Sequence, residues 1–508
     1  MISEVFTKEF QTTPSPIITQ VYSLKFLISF RLQIPVQFLQ SVIDMLIQII
    51  NQSEKVCQNA CLITLEKLLL MKDLNTSELL SKNALNNQNT FTNLTNTIIK
   101  LISTECNIFA IRCLYRSLIL TNPEFFKSIM PSLTTTLHQI LKNIMLNSTQ
   151  DEFNYFFFEI CSFVMTKISS FDIKMVTQFE NTLRSDLTLI LSNSITDLMG
   201  YVFQFFALYI NLSNDTSEHY NKLLQSILFD LNSWNLNMKY MFSPFVAFLK
   251  VYLMKNQSFF SNQGIVDQIF KICEKLLTLK SFNQIFEILD YLLNCLNGME
   301  LINPLTNFLG LIYKTILENK TSNPKVYRDL GTHLLLFISK MVIKLQCEAA
   351  IQIVTKIGGG INLLVELINL LPAADSVEDK KLIFYSYSLI LTSYISNIPE
   401  IELKQIAKII LTELPLCYSL TLRFMSKKNE DISYAARNYN RLVHATVNFS
   451  VEDYKNIYKM EPAQIIFTAA SAILEKHKIN LINLVFNEMN QKDKNYIKNY
   501  AQKFNFPL

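Results

Sequence analysis

Charge is scarce in this chain of 508 residues: Asp, Glu, Lys and Arg make up 17% of it, against roughly 25% in an ordinary soluble protein. Whatever fold it adopts must dress its exposed faces largely with Asn, Gln, Ser and Thr. Glycine is scarcer still, with 8 residues, and proline reaches only 13. A β architecture of this length would need many more of both for its tight turns, so an all-β chain is excluded. A strong excess of one charge is missing too. Forty-six basic residues face 42 acidic ones for a net +4, too weak a field to call for nucleic acid. No apolar run reaches the ~18 residues a membrane span needs; even 330–342 is interrupted by Gly331, His333, Ser339 and Lys340. Glu4, Lys8 and Glu9 stand where a secretory leader would be apolar. We therefore expect a soluble protein without membrane insertion, and a membrane-associated reading rests on the positive mean hydropathy of +0.21 alone.

Reactive constellations are lacking as well. The five histidines (138, 219, 333, 444, 477) fall on different helical patterns with no paired spacing; His138 and His333 read as satisfied packing residues. Gly358-Gly359-Gly360 has no strand before it and no Lys-Ser/Thr after it, so it reads as a helix break rather than a phosphate cradle. The nine cysteines are odd in number and scattered, in keeping with reduced, packed thiols. Cys57 and Cys61 would share a helix face, yet no second ligand pair lies near them. Neither catalysis, nor a metal, nor a cofactor is expected.

What the chain has in abundance is apolar residues, half of the total, set at helical spacing. Residues 151–213 show this best, with Phe153, Phe156, Phe157, Ile160 and Val164, then Val176, Phe179, Leu183, Leu187 and Ile190, then Leu198, Val202, Phe205, Phe206 and Tyr209. The breaks at 169–172 and 192–194 are so short that neighbouring helices must run antiparallel. Ser15-Pro16, Asn122-Pro123, Ser243-Pro244, Asn303-Pro304 and Asn323-Pro324 repeat one helix-start signal along the chain. The pattern predicts helix pairs throughout, the last ones at 399–413, 416–427, 432–447, 462–476 and 478–489, in units of about 40–47 residues. The expected fold is all-α, a HEAT-repeat-like right-handed α-solenoid running as one continuous array over 1–508. Residues 490–508 read as a frayed helix or tail. Solenoids bind partners through exposed faces, and the polar candidates for contact are Lys380, Lys381, Arg423, Lys427, Lys428 and Arg437.

Short motifs add a resemblance. Asn154-Tyr155 with Phe158-Glu159, then Phe179-Glu180, then Tyr201-Val202-Phe203-Gln204 keep the order and spacing of the central helices of the CAS family, the nuclear exportins that return importin-α to the cytoplasm. Lys25-Phe26, Phe30-Arg31, Gln33 and Pro35, then Glu66-Lys67-Leu68, then Arg112 with Arg116-Ser117 resemble further family segments, and Asp431, Tyr434, Leu442 and Ala445 echo a later one. The resemblance covers most of residues 2–450 and is to the C-terminal arch; the family's N-terminal arch has no counterpart in this sequence. It implies a transport receptor segment that binds importin-α, Ran·GTP and nuclear pore proteins, shuttles between nucleus and cytoplasm, and catalyses nothing. A different class, a HEAT scaffold subunit of a phosphatase or chromosome-associated complex, fits the same helical pattern.

Overall fold

Asparagine, abundant in the sequence, starts many of the helices. In the computed structural model the side chain of Asn87 accepts from the backbone amides of Asn89 and Thr90, Asn107 from Phe109 and Ala110, and Asn122 from Glu124. Asn323 and Asn490 do the same further on. Each satisfies donors that a helix N-terminus leaves free. The structure describes residues 16–72, 79–148, 150–230, 239–256, 263–295, 302–426, 441–447 and 454–508. Among the described residues there is no named strand; Lys72 and Leu79 form an isolated bridge. No single described helix is long and apolar enough to cross a membrane.

Two compact units are present. The first comprises 1–216 together with 438–447, and the second 217–437 with 448–508. In the first unit the helices are α1 (Ile17–Ser29), α2 (Leu39–Gln52), α3 (Lys55–Leu69), α4 (Ser81–Leu85), α5 (Gln88–Thr104), α6 (Ile108–Leu120), α7 (Pro123–Leu146), α8 (Asp151–Ser169), α9 (Ile173–Ser192) and α10 (Thr196–Ser213). They stack as two layers of antiparallel pairs, α2, α5, α7 and α9 in one and α3, α6, α8 and α10 in the other. The second unit holds α11 (Glu218–Asp230), α12 (Lys239–Lys255), α13 (Gln263–Thr278), α14 (Phe282–Cys295), α15 (Ile302–Ser322), α16 (Pro324–Leu345), α17 (Cys347–Lys356), α18 (Gly360–Ile368), α19 (Val377–Tyr394), α20 (Glu400–Ser426), α21 (Lys455–Lys459), α22 (Pro462–His477), α23 (Asn483–Phe486) and α24 (Gln491–Lys503). There α12, α14, α16, α19 and α22 follow one another as neighbours in one layer, with α11, α13, α15 and α17 in the other.

Polar bridges between successive pairs mark the repeat. Thr90 donates to Asp44 (2.8 Å), Asn107 to Asn59 (2.8 Å), Lys320 to Glu366 (2.6 Å), and His138 meets Asp186 at 2.8 Å. These partners lie 46 to 48 residues apart, at the upper edge of a two-helix HEAT period. His333 bonds the Asp329 carbonyl (2.7 Å) and Asn283, so both histidines read as packing residues have partners.

The helix predicted over 478–489 shortens to Asn483–Phe486, and three further expectations change. The helices predicted over 399–413 and 416–427 are one: α20 runs from Glu400 to Ser426 with Pro415 inside it; a proline removes one amide donor without abolishing the flanking turns. The tail is ordered: α24 is capped by Asn490, buries Ile497 and Ala501, and stacks Tyr500 and Phe504 on Phe467. Lys503 and Tyr500 both donate to the Glu461 carboxylate, at 2.7 and 2.9 Å. The helix predicted over 432–447 is not formed in its described part, 441–447, which runs as turns and irregular chain.

The triple glycine does break the helix as read, bending α17 against α18 by 100°. Gly358 has φ +106°, a conformation that a side chain strains. Gly358→Ala is expected to lower stability by about 1–2 kcal/mol, seen as a lower urea midpoint with unchanged slope, whereas Gly310→Ala, in open space on α15, does not lower it.

Candidate binding site: a polar clamp on residues 441–447

Helix α10 is buried all round from Tyr201 to Ile210, which requires cover beyond its neighbours α8 and α9. Part of that cover is the returning segment 441–447. Leu442 is 0% exposed and Ala445 5%, whereas Val443 between them is 65% exposed. The backbone amide of Leu442 donates to Gln204 Oε1 (2.8 Å), and those of Val443 and His444 donate to the two carboxylate oxygens of Glu159 (2.7 and 3.2 Å). Tyr155 Oη also donates to Glu159 (3.2 Å). The His444 ring sits edge-on to Phe163 and Tyr115, with centroids 5.1 and 5.9 Å away, and its Nε2 is 3.0 Å from Tyr115 Oη. Successive helices α6, α8 and α10 thus supply one side of the clamp each, because pairing in register brings their second-layer faces together.

Electrostatics follow from burial. Glu159 is fully buried, and loss of solvent raises its pKa above the usual carboxylate value; the two amides, Tyr155 and the charge of Arg116 hold back part of the rise. Burial lowers the His444 pKa below 6.5. A histidine with a depressed folded-state pKa binds fewer protons than its released form, so docking is favoured above pH 6.5 and weakens as pH falls through the window below it. Carbon-13 resonances of labelled His444 should titrate below 6.5; a midpoint at or above that value counts against the buried placement.

The other polar motif residues have internal partners. Arg112 makes a forked pair with Glu66 (3.0 and 2.7 Å) and reaches Glu152 at 3.4 Å. Arg184 does the same with Glu180 (2.9 and 2.6 Å). Sequence reasoning quoted Glu159, Glu180 and Gln204 as motif letters but missed what they hold. The available signal was a carboxylate and an amide lying on the core face of helices, where polar groups need partners.

The polar residues nominated from sequence are placed otherwise. Lys380 is only 3% exposed, and its Nζ donates to Glu413 (2.7 Å), itself 5% exposed. It is corrected from a contact candidate to an internal ion pair joining α19 to α20. Lys381, half-buried, donates to the Tyr458 carbonyl (2.7 Å). Arg423 belongs to α20 with its side chain outside the described residues, as are Lys427, Lys428 and Arg437 entirely. The clamp therefore brings together none of the nominated six.

Most of the chain, including the motif-bearing helices 151–213, also matches a known family. Residues 66–500 match the family described as CAS/CSE protein, C-terminus. The chain belongs to the CAS/CSE family. This CAS/CSE chain is 23% identical over 344 residues to Exportin-2 of Drosophila melanogaster, a match covering 66% of the chain and 34% of the relative. It is 23% identical over 315 residues to Exportin-2 of Danio rerio, covering 59% and 31%. Its fold is similar to the solved structure of the exportin Cse1 in its cargo-free, cytoplasmic state, with a TM-score of 0.69 and 17% identity over 98% of this chain and 50% of that one. The CAS/CSE chain thus spans about half of that solved protein, and its matches cover about a third of each Exportin-2.

Proposed function

We propose that this chain forms part of a nuclear transport receptor that carries importin-α out of the nucleus together with Ran·GTP, shuttling between nucleus and cytoplasm past nuclear pore proteins. The observation that supports this most is the CAS/CSE match over residues 66–500, in which the motif residues Glu159, Glu180 and Gln204 each have a partner within the fold. A helical array suits the task physically. Small rotations at each interface between pairs add up, so a receptor can change curvature at little local cost. A partner shifts that equilibrium only by its differential contacts with the two states. Partners bound together must then strengthen one another reciprocally.

The test is a pull-down in which the chain, alone and joined behind the N-terminal half of the fly relative, is offered importin-α with Ran loaded with GTP or GDP. Retention of importin-α by the joined protein only with the GTP form is expected, with weaker retention by the chain alone. Nucleotide-independent retention, or a stable stoichiometric assembly with some other subunit, would favour the scaffold class instead.

A further inference from the structure

The clamp holds 441–447 in the way a receptor holds a foreign peptide. Glu159 and Gln204 read three consecutive main-chain amides, Leu442 is fully buried, and the Tyr115–Phe163 corner takes an imidazole. None of these contacts depends on the segment being part of the same chain, from which it is separated by 238 to 329 residues. The resident is also partly open to solvent. Of its seven residues only Leu442 and Ala445 are buried; Val443 and Arg441 face solvent. Such segments open locally more readily than the helices beneath them.

We propose that the groove formed by Tyr115, Tyr155, Glu159, Phe163 and Gln204 is a peptide-binding site. Its resident segment is exchangeable, and the groove accepts from another polypeptide a short stretch with an aliphatic residue followed two positions later by an imidazole. Main-chain donors to a fixed carboxylate supply the affinity, and the two side-chain positions supply the selectivity. The resident acts as a competitor in cis, present at the high effective concentration that tethering gives. This reading does not depend on importin-α or Ran being the partners of the whole receptor.

The probe is a capped, fluorescein-labelled peptide of the resident's own sequence, Arg-Leu-Val-His-Ala-Thr-Val, with a control in which Leu and His are both Asp. The full chain carrying Leu442→Ala and His444→Ala is expected to bind the probe at least tenfold more tightly than the native chain, since its own segment no longer competes. Adding Glu159→Gln should weaken that binding at least tenfold, and the control peptide should not bind. No gain over the native chain, or equal binding of the control, overturns the proposal. Should the double variant fail to fold, amide exchange on the native chain decides. Val443 and His444 exchanging faster than the core of α8 and α10 supports an exchangeable resident; exchange only with global unfolding shows a permanent element and overturns it.

Discussion

Lys380→Ala is expected to lower the stability of the chain by about 3–5 kcal/mol. The substitution leaves the Glu413 carboxylate, 5% exposed and previously 2.7 Å from the ammonium, as an uncompensated buried charge. Converting both members, Lys380→Met with Glu413→Leu, should restore most of the loss or exceed the native stability, because the hydrophobic pair needs no desolvation of charge. Lys381→Ala removes one hydrogen bond to the Tyr458 carbonyl and should cost about 1 kcal/mol. Urea unfolding of the three variants beside the native chain measures each change. A Lys380→Ala chain of native stability with weakened partner binding would return Lys380 to the surface contact role suggested by sequence.

Glu159→Ala should cost about 3 kcal/mol or more. It strands the amides of Val443 and His444 and the Tyr155 hydroxyl beneath a buried void, and each unsatisfied buried donor costs about 1–3 kcal/mol unless it finds water. Release of 441–447 limits the loss by letting the two amides reach solvent, so the variant should show faster exchange at Val443 and His444 together with the lower urea midpoint. Glu159→Gln keeps an acceptor and the shape, and should lose roughly half as much. Equal losses for the two substitutions would mean that packing rather than hydrogen bonding sets the role of Glu159.

How much of this was legible depended on distance along the chain. Helix positions, the antiparallel pairing of α8, α9 and α10, and the break at Gly358 follow from spacing and turn chemistry within a few residues. The gap predicted between 399–413 and 416–427 is absent because local patterning is a bias that packing on both sides can override. The 432–447 pattern misled for a deeper reason. Leu442 and Ala445 sit three apart as on a helix, but both are buried by turns whose amides are spent on Gln204 and Glu159. Lys380 lies on a helix whose apolar stripe is broad, so its burial depended on where Glu413 of α20 would arrive.

The sequence by itself determined an all-helical chain of paired elements, their approximate bounds, their repeat, and the CAS/CSE membership carried by short ordered motifs. Only the tertiary structure decided the division into two units, the internal pairing of Lys380, and the return of 441–447 to a clamp built from three helices. The physical reason is that amphipathic periodicity records which face of a segment is buried but not by what. A buried carboxylate such as Glu159 announces that a donor must exist, and chain folding over more than 280 residues supplies it.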